Sequence, residues 1–184
     1  MAEHPENLGY IAADLARKGV NFVAIGAWAA QAQGYDLGYR TNDIDVTPDL
    51  GRENLEKLAE ALTEMGALQK FGPFTAEVQF TAEKLAEYPV WNLTCDNGNF
   101  DVVFDPTGLE GYRELLKSAH QVEIETDEFR CRVLCADVKD IIRSKRAANR
   151  DKDRKVVDHL EAQLAINVNL EKDRGDRRGF DVGL

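Results

Sequence analysis

The stretch Arg40-Thr41-Asn42-Asp43-Ile44-Asp45-Val46 sets two acids among alternating apolar residues. Side chains two apart on a strand share a face. A strand here therefore projects Asp43 and Asp45 together and turns Ile44 and Val46 the other way. The segment reads as the edge of a strand running into a sheet. Two carboxylates held that close repel, and at least one pKa rises unless a cation lies between them. Hard oxygen donors of this kind suit Mg²⁺, which takes one or two carboxylates and completes its shell with substrate phosphates. An isolated pair of this type is most often a solvated edge. The surroundings here weigh the other way.

Upstream, Phe22-Val23-Ala24-Ile25 is a short apolar run with the signature of a buried strand. It stops at Gly26 and gives way to a helical run from Ala27 to Gln33. Strand, small-residue turn and helix start together make a phosphate site. Gly26 lets the backbone approach closely, and the first N–H groups of the helix face the anion. Gly26 and Ala27 are the residues placed there. Downstream, Asn99-Phe100-Asp101-Val102-Val103-Phe104 predicts a second strand with an acid inside an apolar run. A buried carboxylate is costly unless paired or metal-bound, so Asp101 is the expected third member of the acidic set.

The formal net charge is −10, which argues against a broad nucleic-acid-binding surface. The charge is uneven. Eight bases lie between Lys139 and Lys155, against Asp140, Asp151 and Asp153. Such a run is either a solvated helix with i,i+4 pairs or a basic wall beside the acids. Lys145 and Lys152 are seven apart, nearly on one face if a single helix continues. Asn149-Arg150-Asp151 reads alternatively as a turn, with Asp151 capping a new helix.

Gly26-Ala27-x-Ala, then Arg40-x-Thr-x-Asp-Ile-Asp-Val, then a later strand aspartate resembles the nucleotidyltransferase superfamily with a polymerase-β-like core. Lys145-Arg146-Ala147-Ala148-Asn149-Arg150-Asp151-Lys152-Asp153 is similar to a helix of its abortive-infection toxin branch. Asn149 and Asp151 stand where that branch commonly has glycine and proline. Gly26-Ala27 stands where many members have Gly-Ser, so a hydroxyl that touches the triphosphate in those members is absent. The resemblance implies an α/β (α+β) fold, a mixed sheet flanked by helices. It implies that Asp43, Asp45 and Asp101 hold Mg²⁺, two ions in the superfamily, and that an NTP is the substrate. Gly26, Ala27, Arg40, Lys145 and Lys152 are then the expected phosphate contacts. Lys145 and Asp153 carry over from the branch motif as catalytic residues. The acceptor expected from that branch is tRNA or a protein, with an antitoxin protein as partner. A small-molecule transferase of the antibiotic-modifying kind, a silent nucleotide-binding module and a plain acidic scaffold are the alternatives.

The remaining pattern predicts helices over Glu6–Lys18, Arg52–Met65, Tyr112–Ser118, Asp137–Asn149 and Asp153–Ile166. It predicts strands over Glu77–Thr81, Val90–Thr94, Gln121–Ile124 and Phe129–Leu134. Phe71-Gly72-Pro73-Phe74 is expected as a loop and Asp96-Asn97-Gly98-Asn99 as a hairpin turn. The expected organisation is a core over 1–135, a helical segment over 136–168 and a loose tail over 169–184. Cys95, Cys131 and Cys135 lack metal or disulfide spacing and are expected as reduced thiols. The scattered His4, His120 and His159 argue against zinc. No apolar run approaches the ~20 residues of a membrane span, and the acidic start lacks a signal core, so a cytoplasmic protein is expected. Trp28 is expected in the core, and Tyr39 as a stacking surface.

Overall fold

The computed structural model describes residues 8–125, 127–128 and 130–179, with side chains described through residue 168. It is a mixed α/β fold around one eight-stranded sheet. In chain order the elements are α1 (Leu8–Arg17), β1 (Phe22–Ile25), α2 (Gly26–Ala32), β2 (Asp43–Pro48), α3 (Arg52–Glu64), β3 (Leu68–Phe71), β4 (Phe74–Glu77) and α4 (Ala82–Leu85). They continue with β5 (Val90–Cys95), β6 (Gly98–Val103), α5 (Tyr112–Leu115), β7 (His120–Glu125), β8 (Arg130–Cys135), α6 (Val138–Ala148) and α7 (Asp151–Gly179). The strand order is β4-β3-β5-β6-β2-β1-β8-β7.

The acid-bearing strands lie at the centre. β2 runs parallel to β6 and antiparallel to β1. The segment expected at a strand edge is therefore an interior strand, and its apolar residues explain why. Ile44 and Val46 are fully buried and pair with Phe100 and Val102 of β6, also fully buried. The alternation that lifts the acids to one face sinks these four into the core on the other. The buried stripe of α1 adds Ile11 and Leu15, and α3 adds Leu55, Leu58 and Leu62. Trp91 of β5 packs edge-on against Phe80 and donates its indole N–H to the Leu85 carbonyl of α4, 3.1 Å away.

Several expectations shift. Leu68–Phe71 is a strand, and Phe71 to Phe74 is the tight turn of the β3–β4 hairpin. β4 ends at Glu77, where a strand was expected to begin. Its residues are all exposed, so no apolar alternation marks the strand. The hairpin turn between β5 and β6 and the β7–β8 pair form as the pattern requires. Phe129 lies outside the described residues. So do Glu6 and residues 180–184. The backbone over 169–179, expected as a tail, continues α7, with no proline to stop it. The three cysteines are free. Among the described residues no helix is long and apolar enough to cross a membrane.

Candidate active site

Strand register builds the acidic half of the site. Asp45 of β2 stands opposite Asp101 of β6, and Ile25 of β1 opposite Asp45. The two carboxylates share a face and line one cavity of about 490 Å³. Its walls also include Gly26, Thr107, Ser144, Lys145 and Arg150. Asp43 lies two residues before Asp45 on the same face, exposed at the strand start. It accepts a 2.8 Å hydrogen bond from the Thr41 hydroxyl.

Gly26 is required twice over. Its φ is +72°, where side chains are strained. A Cβ there would also run into the Asp45 carboxylate. The glycine thus lets Asp45 lean over the start of α2. The residue before that helix, Ile25, offers no side-chain cap to its first N–H groups.

Burial pushes the Asp45 carboxyl up from 3.8 to about 7, with the charges of Asp43 and Asp101 adding to the rise. Lys145 and Arg150 pull the other way. Asp101 is also raised, chiefly by burial and then by Asp43. A bond from Asn92 and the charge of Lys70 oppose that rise. An acid that is half neutral near pH 7, buried and with anionic neighbours, is a place for a cation.

The donor set fits Mg²⁺ on its chemistry. The acidic donors are carboxylate oxygens, from Asp45 and Asp101 in the cavity and from Asp43 two residues before Asp45 on the same strand face. Among the described residues no three carboxylate, imidazole or thiol groups converge into a cage of their own. Mg²⁺ seldom asks for one, because it keeps water or phosphate oxygens in its shell.

The cationic half of the site depends on a helix break. α6 ends at Ala148, and Asn149 takes the left-handed conformation at φ 49°. Asparagine is among the few side-chain-bearing residues that tolerate that region. The chain turns, and α7 starts at Asp151. Lys145 and Lys152 therefore do not lie on one continuous helix face. Lys145 is nearly buried and bonds Asp153 at 3.2 Å. Asp153 is only 2% exposed, and it also accepts from Arg150 Nε at 2.6 Å. These two bonds hold its carboxyl below the usual range against burial, which acts to raise it.

The structure brings Gly26, Asp45, Asp101 and Lys145 into one cavity, with Asp153 bonded to Lys145; Asp43 is not on the cavity wall, but its charge acts on Asp45 and Asp101. It does not bring in the others. Ala27 is buried within α2. Lys152 is exposed on α7 and absent from the cavity wall. Arg40 lines a separate cavity of about 610 Å³, with Trp28, Gln31 and Tyr39. Trp28 is buried as expected, and Tyr39 is half exposed. Arg150 is the residue that the pattern missed. It stood in the basic run and in the Asn149-Arg150-Asp151 turn signal but was not singled out, since a continuous helix would carry Arg150 elsewhere. The basic run is mostly paired. Arg143 bonds Glu114 and Asp140, Arg146 bonds Glu161, and Arg154 bonds Asp151.

No family model matches the chain, and no curated protein matches it. Solved structures similar to it include the following two. One is a candidate nucleotidyltransferase from Thermotoga maritima, with a TM-score of 0.40 and 17% identity, covering 94% of this chain and 89% of that one. The other is an antigenic nucleotidyltransferase-like protein from Paracoccidioides brasiliensis, with a TM-score of 0.49 and 15% identity, covering 97% and 92%. Likeness at this level carries no residue or reaction across to this chain.

Proposed function

We propose that the chain is a Mg²⁺-dependent nucleotidyltransferase. The observation that carries this is the pairing of Asp45 with Asp101 in one cavity, bounded by the Gly26 turn and by Lys145 and Arg150. Asp43, Asp45 and Asp101 are the carboxylates that would hold Mg²⁺, which when bound neutralises phosphate charge and aligns the reacting oxygens. The triphosphate lies against the start of α2 and meets Lys145 and Arg150. The acceptor hydroxyl oxygen forms a bond to the α-phosphorus, and the bond from that phosphorus to the pyrophosphate oxygen breaks. Asp101 takes the hydroxyl proton. Lys145 and Arg150, held by Asp153, offset the charge that grows on pyrophosphate.

The first reading of the acceptor is tRNA or a protein hydroxyl, as in toxin-type transferases, with an antitoxin as the natural partner. A small-molecule acceptor is the second. One observation favours it: Arg143, Arg146 and Arg154 are engaged in ion pairs rather than free to track a polynucleotide. The test is binding. Each NTP with Mg²⁺ should raise the melting temperature through mass action, and EDTA should abolish the rise. Equal shifts with and without metal would overturn the role given to the acids.

A further inference from the structure

One face of the sheet stays open beyond the acids. On β5, Trp91 and Leu93 are buried on the α4 side, while Val90 and Asn92 are exposed on the other side. The β5–β6 register sets Asn92 opposite Asp101, and Asn92 bonds the Asp101 carboxylate. The β3–β5 register pairs Leu68 with Thr94 and Gln69 with Leu93. Carried one step further, it sets Lys70 beside Asn92. A single row across four strands then reads Asp45, Asp101, Asn92, Lys70. Neighbours in such a row project from the same face.

Lys70 is the cation of this floor. Its ammonium reaches across β5 to the Asn99 side-chain oxygen of β6, at 2.7 Å. That partner is a neutral amide rather than a carboxylate. The floor around it carries Val90, Asn92, Thr94 and Thr75, with Glu77 opposite Leu68 at its outer edge. Lys145 and Arg150 act on Asp45, whereas Lys70 acts on Asp101. The acids thus have cations on two opposite sides, only one of which belongs to the cavity wall.

We infer that the acceptor lies across this open face of β6, β5 and β3, and that Lys70 binds a phosphate carried by the acceptor near its reacting hydroxyl. The inference rests on the nucleotidyl-transfer reading and names its acceptor class: a phosphate-bearing sugar hydroxyl. A dispersed negative surface suits one such contact better than a long polyanionic track. Two sources share this chemistry, the terminal nucleotide of an RNA and a free sugar phosphate. A protein hydroxyl has no phosphate and does not fit.

The test uses backbone amide signals of the full chain in solution. Ribose 5-phosphate and a ten-nucleotide oligouridylate are titrated separately, with neutral ribose as control. Mg²⁺ with α,β-methylene-ATP is titrated in a third arm. The expected result is a response on residues 68–70 and 90–94 to a phosphate-bearing probe and none to ribose. The tighter of the two probes identifies the source. K70Q should weaken that binding by about tenfold, the loss of one charged hydrogen bond. K70R should retain it. The K70Q spectrum without ligand reports whether the fold is intact, and the K70R comparison holds even if K70Q perturbs β3. Equal responses to ribose and ribose 5-phosphate overturn the inference, as does a phosphate response confined to Gly26 and residues 144–150. A floor response without any nucleotide response at Gly26 and Lys145 leaves a phosphate site but removes the acceptor assignment, because the transfer reading has then failed.

Discussion

The acids and the cations of the cavity are held by different kinds of structure. Asp45 and Asp101 are fixed by the register of two central strands, with Ile44, Val46, Phe100 and Val102 buried behind them. Lys145 and Arg150 are fixed by a break between two helices and by one buried carboxylate, Asp153. The first arrangement gathers like charges, and the fold bears the repulsion. The second gathers opposite charges, and the fold gains from them. Their responses to pH consequently have opposite signs. Asp45 has a folded pKa raised from 3.8 to about 7. The folded chain binds that proton more tightly than the unfolded chain does, so stability falls as pH rises through this window in the absence of metal. Asp153 is depressed. Its contribution is present above the ordinary value of 3.8 and is lost as pH falls through the lower folded value.

The largest expected effect comes from Asp45→Asn. It keeps the shape and removes the charge that the proposed Mg²⁺ would need. Transfer activity should fall by about a thousandfold or more. The metal-free variant should melt no lower than the parent at pH 7, and its stability should lose the decline between about pH 4 and pH 7. Transfer assays beside melting curves across that pH range check both halves. A variant that unfolds would mean that Asp45 supports the fold rather than a metal.

Asp153→Asn tests the other half. The side chain is 2% exposed and serves two cations. Losing its charge should destabilise the chain by about 2 kcal/mol, less than a fully buried pair because Arg150 can turn to water. NTP binding should weaken with it, and the acid-side loss of stability should shrink. Denaturant melts at about pH 7 and about pH 3, on either side of the ordinary carboxylate range, are the measurement. An unchanged difference between the two would show that Asp153 is not the depressed group.

How far each half was legible in the sequence follows from the same contrast. Asp43, Asp45 and Asp101 were readable because a strand has a fixed period of two, and alternation with apolar residues betrays the face. The burial of β2 at the sheet centre was not readable, since a strand with one polar face looks like an edge until its neighbours are known. Lys145 and Asp153 were visible as a motif. Their union was not, because it depends on the left-handed turn at Asn149. A continuous helix would have set Lys152 beside Lys145 and turned Arg150 away. β4 left no mark at all, being exposed along its length.

Gly26→Ala probes the seam between the halves. The substitution adds a Cβ against the Asp45 carboxylate at a positive φ. Backbone strain of about 2 kcal/mol is expected, lowering the melting temperature by roughly 4–8 °C for a chain of this size. Activity should drop as well, since Asp45 must move to make room. Restoring full activity with a second change at Asp45 would be inconsistent with a metal role there. Calorimetry beside the transfer assay separates strain from lost chemistry.

The smallest effect is the one that most sharply tests the helix break. Lys145→Ala should weaken NTP binding by about tenfold or more, because the side chain lines the cavity, where the proposed reaction develops phosphate charge. Lys152→Ala should change it by less than about twofold, because an exposed lysine outside the wall makes a screened contribution at most. Seven residues apart on one helix, the two lysines would weaken binding together. Split by the left-handed residue at Asn149, they separate. Equal losses in a nucleotide titration of the two variants would mean that the helix runs on through Asn149 when nucleotide binds, and Arg150 would then lose its place in the site.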